Sequence, residues 1–349
     1  MDKPPFENVD FASLDPIVER LVDGYHHRTR RFTDPPSDDD KIENLIDALG
    51  RTYEDSFSNG YGHSIRGQSM RLKELTILFL DQCIAENAEF GVDIKENYWL
   101  LVAGAVLSDI GKLGIDENIL VKKGSLNETE RTEMEKHPIN SHYLIWKVMD
   151  RLGFSSKEYL MVAESALHHH ERYDGKTEGR FRGYPQGYQG EEISFGGRVS
   201  QLMDVAEAVI FGRHYRGEQS YQYMMAELMR SSGIPLDDHS RKVWEDEIRY
   251  RHAKRMKNDG EPKFREMIID RLKEYDMYKE EMDNGLQTSE LQERYIERKA
   301  QPEKQLDQKM VGIFGRISPQ KIYDILQNKE DEVKQLAIAD RGKGDTRLF

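Results

Sequence analysis

The sequence predicts an all-α protein, and three observations carry that reading. From Lys41 onward apolar residues recur at helical spacing, as in "DDDKIENLIDALGRTYED", where Ile42, Leu45, Ile46 and Leu49 share one face. Helix-start signals recur as well: Asp residues precede Lys41, and Asn127 stands three residues before Glu130 in a capping-box spacing. No β-rich segment of any length interrupts the pattern.

The elements follow in order. Residues 1–40 are rich in Asp and Pro; "SLDPIVERLVDGYHHRTRRF" can form one short helix, and "FTDPPSDDD" reads as a linker. "HSIRGQSMRLKELTILFLDQCIAENAEFG" predicts a long helix ended by Gly91. "KENYWLLVAGAVLSDIGKLGI" is apolar nearly all round and predicts a central buried helix. "NETERTEMEKHPINSHYLIWKVMDRLG", "KEYLMVAESALHHHE" and "EISFGGRVSQLMDVAEAVIFG" predict three more. Residues 240–300 are densely charged, with sparse apolar positions such as Val243, Trp244 and Ile248. They predict solvated helices packed on one side, with an oligomerisation arm as the alternative. "SPQKIYDILQNKEDEVKQLAIA" predicts a last helix, and "DRGKGDTRLF" a disordered tail. The expected partition is an N-terminal segment and linker over 1–40, a helical domain over 41–238, and a charged helical extension with its tail over 239–349.

Composition narrows the function classes. A chain of 349 residues can bury a sizeable core. Its net charge of −13 argues against a general nucleic-acid binder, because phosphate contact favours a basic surface. A local basic or metal-lined pocket can still take a small anion. One cysteine, Cys83, rules out an internal disulfide and fits a reducing, cytoplasmic setting. Residues 1–30 lack an apolar run of signal-peptide type, and no run of about 18 apolar residues occurs, so neither secretion nor a membrane span is expected.

The chemistry concentrates in "LHHHERYDGKTEGRFRGYP", Leu167 to Pro185. Three of the eleven histidines stand together there, followed by Glu171 and Asp174. The stretch is either a metal site with a ligand loop or a solvated polar turn; imidazole and carboxylate both suit Mn, Fe and Zn. Partners occur elsewhere. Asp109 and Lys112 end the buried helix in "LSDIGKLGI", where a polar pair is costly unless used. His137 precedes a proline in "MEKHPINSH", His63 heads a long helix, and Asp204 sits on an apolar helix between Met203 and Val205. Each alone has a plainer reading: His63 as a surface histidine, Asp204 as the partner of an arginine. Their joint order along the chain is the specific signal.

In that order the sequence resembles the HD-GYP phosphodiesterases, a branch of the HD superfamily that hydrolyses cyclic di-GMP. The resemblance covers about His63 to Tyr215 and rests on His63, "SDIGKLGI", "EKHP", "HHERYDG", "GYP", "DVAEA" and "RHYR". It implies an HD-superfamily helical bundle with additional N-terminal and C-terminal helices. It implies two divalent transition metals, iron or manganese, held by His63, Asp109, His137, His169, His170 and Asp204, with Asp109 shared between them. Asp109 and Lys112 are then the catalytic candidates, Lys112 neutralising charge in the transition state. Lys112, Tyr184, Arg213 and Arg216 are the substrate-binding candidates; for the two arginines plain surface charge is the alternative. The activity implied is metal-dependent opening of cyclic di-GMP to linear pGpG or GMP by a hydroxide activated between two metals. The alternative is a catalytically degenerate domain serving as a cyclic-dinucleotide receptor or interaction module. Diguanylate cyclase (GGDEF) proteins are candidate partners, and the C-terminal helices a candidate route to an oligomer.

The sequence departs from the family pattern in three places. Ser108 stands where the family has the His of its His-Asp pair. One metal would then keep His63, Asp109 and Asp204, an open site with weakened occupancy; the other would keep Asp109, His137, His169 and His170. Asn59 stands where some members carry a Glu that helps hold a third metal, so two metals at most are expected. The insertion "KTEGRFR", 176–182, either draws Tyr184 from its usual place or supplies Arg180 and Arg182 as phosphate contacts.

Overall fold

The helical periodicity is realised as fourteen α-helices among the residues this computed structural model describes, which are 11–29, 38–57, 61–122, 125–179, 182–211, 218–274 and 286–325. In chain order they are α1 (Asp15–Thr29), α2 (Asp38–Asp55), α3 (Tyr61–Ala85), α4 (Tyr98–Val106), α5 (Glu117–Leu120), α6 (Glu128–Met134), α7 (His137–Arg151) and α8 (Ser156–His168). They continue as α9 (Phe195–Phe211), α10 (Glu218–Ser231), α11 (Asp238–Asp259), α12 (Glu261–Glu274), α13 (Thr288–Lys299) and α14 (Gln308–Phe314). No strand occurs among the described residues, and none of their helices is long and apolar enough to cross a membrane. The expected tail at 340–349 lies outside the described residues.

Three helix boundaries differ from the sequence expectation, each for a local reason. The long helix α3 stops at Ala85, because Asn87 and Gly91 take positive φ (51° and 70°) and turn the chain back. The stretch "NETERTEMEKHP…" is two helices. A capping box of Asn127 and Glu130 starts α6, and Pro138, lacking an N–H, begins a fresh helix beside His137. The buried helix α4 ends at Val106, and "IGKLG" tightens into a 3-10 turn over Ile110–Gly114. That turn lies hard against α7. A Cβ on Gly111 would come 2.1 Å from the His137 carbonyl oxygen and 2.3 Å from the Ser141 nitrogen.

The apolar helix α4 is the centre of the bundle, with every residue from Leu100 to Val106 buried and α3, α8 and α9 packed around it. The main core also takes Leu14, Val18 and Leu21 from the N-terminal segment and Leu306, Met310, Phe314, Ile317 and Ile322 from the far end of the chain. A second cluster joins Trp244 and Ile248 of α11, Phe264 and Ile268 of α12, and Leu291 and Ile296 of α13 to Tyr223 and Ala226 of α10. The charged helices thus pack on one side through their sparse apolar positions. The buried clusters do not follow the compositional cuts at 40 and 238: α1 and α14 belong to the bundle, and the separate layer is α11 to α13. An antiparallel bridge between Ser232 and Lys304 closes that layer where it leaves and re-enters the bundle.

Candidate metal centre

The turn after α4, the start of α7 and the end of α8 converge on one point. Asp109, His137, His169 and His170 each bring a ligand atom there, all within 4.8 Å of one another. Asp109 opens the 3-10 turn, and Tyr53 fixes its backbone by donating to the Asp109 carbonyl at 2.9 Å. His137 is the first residue of α7, so the break at Pro138 sets where its ring points.

Hydrogen bonds dictate which ring nitrogens face inward. His137 Nδ1 lies 2.7 Å from the Met134 carbonyl oxygen and His169 Nδ1 2.6 Å from that of Ala166. A carbonyl can only accept, so both Nδ1 atoms carry the proton. Burial keeps the rings neutral, pushing His137 down to about 3 and lowering His169. Both Nε2 atoms are therefore bare lone pairs. They face each other at 3.3 Å, and the Asp109 Oδ1 lies 3.3 Å from one and 3.8 Å from the other. Three acceptors with no proton between them repel unless a cation sits among them. Nitrogen and carboxylate donors oriented by backbone carbonyls are the chemistry of a divalent transition-metal site, so the residues present fit such an ion.

The other predicted residues take distinct places. Lys112 Nζ is 2.7 Å from the second oxygen of Asp109, Oδ2. Burial alone would raise the Asp109 pKa; Lys112, His137 and His169 overcome it and hold the carboxyl below the usual range. Asp204, on α9, lies close enough to feel that charge: burial, then Asp109, push it up to about 7. Asp204 accepts from Gln68 Nε2 at 3.2 Å. The arginine alternative applies one turn along, where Arg71 and Glu207 form a buried pair at 2.6 Å. His63 lies in the first turn of α3, and its side chain is outside the described structure. Asn59, Arg180, Arg213 and Arg216 lie outside the described residues.

Ser108 is buried, and its hydroxyl donates back to the Ala105 carbonyl at 2.9 Å. Its own carbonyl takes the Ser141 hydroxyl at 2.6 Å, which ties the turn to α7. The serine thus has a local helical role, and its proton is committed away from the histidines.

Tyr184, just after the insertion, lies against the histidine cluster. Gly183 N donates to the Lys176 carbonyl at 2.6 Å, closing the excursion at its base. Beyond it the buried Glu171 carboxylate accepts from the backbone N–H of Gln186 and Gly187, and Tyr184 N donates to the His170 carbonyl at 3.2 Å. The Tyr184 ring therefore stacks on His170, centroids 4.8 Å apart. Arg182 is tied to Glu135 at 2.7 Å, yet it still lines a cavity of about 200 Å³ with His169, His170, Tyr184, Asp204 and Gln305.

Residues 92–238 match the family model for the HD domain. The chain carries an HD domain. Its Gly183-Tyr184-Pro185 element lies within the matched span, after the histidine triplet. Among curated relatives, a cyclic di-GMP phosphodiesterase of Vibrio cholerae is 38% identical over 139 residues, 40% of this chain and 27% of the relative. A 3'3'-cGAMP-specific phosphodiesterase of the same organism is 36% identical over 39% of this chain and 28% of its own length. A cyclic di-GMP phosphodiesterase response regulator of Xanthomonas campestris is 33% identical over 41% and 35%. The chain thus spans about a third or less of the length of these curated relatives.

Sequence reasoning missed Gln68, and it named Glu171 only as a carboxylate beside the histidine triplet. Gln68 lies five residues after His63 on α3, off its helical face, so spacing carried no signal for it. Glu171 follows the histidine triplet directly, and its grip on Gln186 and Gly187 becomes visible only with the loop folded.

Proposed function

We propose that this protein is a metal-dependent phosphodiesterase that hydrolyses cyclic di-GMP. The observation that carries the reading is the pair of bare Nε2 atoms at 3.3 Å with the Asp109 carboxylate beside them. Its relatives, named as phosphodiesterases of cyclic dinucleotides, supply the substrate class. The ions that the reading implies are two, iron or manganese: one on Asp109, His137, His169 and His170, a weaker one on His63, Asp109 and Asp204. Bound there, such ions would supply Lewis acidity toward a phosphoryl oxygen and lower the pKa of water.

The chain's own residues do the rest. Lys112, held at the rim by Asp109, offers a positive charge to the non-bridging phosphate oxygens as negative charge builds on them. Arg182, partly exposed at the cavity, adds a second cation. The Tyr184 ring covers His170 and limits water on that side. Asp204, half-buried near Asp109 and raised in pKa, is a carboxylate that gains from a cation beside it. Arg213 and Arg216 are further substrate contacts in this reading. Diguanylate cyclases of the GGDEF type, as makers of the substrate, are the partners it implies.

The test is metal content by elemental analysis, paired with turnover of cyclic di-GMP under added manganese or iron. Slow hydrolysis that rises with metal concentration and disappears in Asp204→Ala is expected. Tight binding of cyclic di-GMP without turnover at any metal concentration would establish a receptor instead.

A further inference from the structure

The strap from α13 into α14, residues 301–307, lies beyond the matched span of 92–238. It nonetheless reaches the metal pocket. On one side Glu303 N and Leu306 N donate to the carbonyls of Arg230 and Ser231, at 2.7 and 2.9 Å. On the other side Tyr173 N donates to the Gln305 carbonyl at 2.9 Å, fastening the strap to the loop that follows the histidine triplet. The buried Asp307 takes the Arg198 guanidinium at 2.7 Å, and Leu306 is sunk in the core. The backbone at Gln305 is thus fixed, and its side chain lines the same cavity as His169, His170 and Asp204.

We propose that Gln305 reads a purine edge of the cyclic dinucleotide held in this pocket. The inference rests on the phosphodiesterase reading above. Charge sorts the two halves of such a ligand. The anionic phosphate is drawn to the histidine and Asp109 end, where a cation and Lys112 meet it. The neutral base needs donors and acceptors in one plane. A primary amide offers one of each, matching the adjacent donor and acceptor on guanine (N1–H, O6) or adenine (N6–H, N1 or N7). Of the nearby guanidiniums, Arg172 forks onto Asp174 at 2.9 and 2.7 Å, and Arg182, bridged to Glu135, serves the phosphates in the reading above. Arg172 also donates to Gln305 Oε1 at 3.5 Å, which orients the amide. Among the described residues, Gln305 Nε2 donates to no protein group.

Two variants test this without touching the backbone carbonyl that Tyr173 uses. Gln305→Leu removes donor and acceptor at similar volume; Gln305→Glu keeps acceptors and loses the donor. Full-length protein loaded with manganese is assayed on cyclic di-GMP, 3'3'-cGAMP and bis(p-nitrophenyl) phosphate, a phosphodiester without a base. Calorimetry on the same manganese-loaded protein, with a hydrolysis-resistant phosphorothioate analogue of cyclic di-GMP, measures Kd. In both variants KM for cyclic di-GMP and Kd for its analogue should rise about tenfold, the scale of losing one bidentate base contact. The kcat, the metal content and the rate on the base-free diester should stay unchanged. Unchanged KM and Kd, with the wild type active on cyclic di-GMP, overturn the role of Gln305 and leave the phosphodiesterase reading standing. An equal loss on all three substrates with loss of metal also overturns it, since Gln305 would then act through the fold. A wild type that cleaves the base-free diester and neither cyclic dinucleotide overturns the phosphodiesterase reading, and this inference with it.

Discussion

Asp109 gives one oxygen to Lys112 and turns the other toward His137 and His169. Replacing it with Asn keeps the shape and removes the charge that balances the cluster. Asp109→Asn should lose metal by more than the roughly 10- to 100-fold that loss of an outer partner costs. Metal content after dialysis checks it; a variant that keeps its full complement rejects Asp109 as a ligand. Gly111 is the second sensitive residue, because a methyl group there meets the backbone of His137 and Ser141. Gly111→Ala should push α7 away, costing about 1–3 kcal/mol in urea unfolding and weakening metal binding together. An alanine variant with wild-type metal affinity would show that α7 can shift without moving His137. The four residues that converge, Asp109, His137, His169 and His170, were legible in sequence because their type and order carry chemistry wherever the chain goes. The place of Tyr184 was not, since it depends on the bond between Gly183 and Lys176 and on the grip of Glu171 on Gln186.

Helices α3 and α9 are joined by two rungs, Gln68 to Asp204 and Arg71 to Glu207, each pair three residues apart on its helix. The second rung is buried at both ends. Arg71→Met should cost about 3–5 kcal/mol, because it strands the Glu207 carboxylate without its partner. The double variant Arg71→Met with Glu207→Leu should recover much of that loss. Urea denaturation of the three variants gives the cycle, and a double variant as unstable as the single one would deny that the pair acts as a unit. The helices themselves were readable from periodicity and capping. Their ends were read too long at α3 and across α6 and α7, because apolar spacing continues through Asn87 and Pro138 while the backbone does not.

Over the whole molecule, the layer of α11 to α13 is fastened to the bundle through a buried charge cluster. Glu227 of α10 accepts from Arg230 and from the Trp244 indole. Burial would raise its pKa, but Arg230, Lys299 and these hydrogen bonds hold it down to about 2. The folded value lies below that of an unfolded Glu, near 4.3. As pH falls the unfolded chain therefore takes up the proton first. This stabilisation is complete above about pH 5 and drains away as pH falls toward 2. Thermal melts from pH 6 to pH 3 should show falling stability, and Glu227→Gln should flatten that dependence; equal slopes in both proteins would remove Glu227 as its source. Composition read the charged helices as solvated and packed on one side, yet it could not tell that α14 returns to the main core, since that depends on where Met310 and Phe314 find partners. The bridge between Ser232 and Lys304 adds a consequence of topology. The chain departs and comes home at one spot, so the stretch between is a detour whose ends already meet. Doubling the length of such a detour costs only about 0.6 kcal/mol of closure entropy. At this port the chain can take a longer or different module while Gln305 keeps its place at the metal pocket.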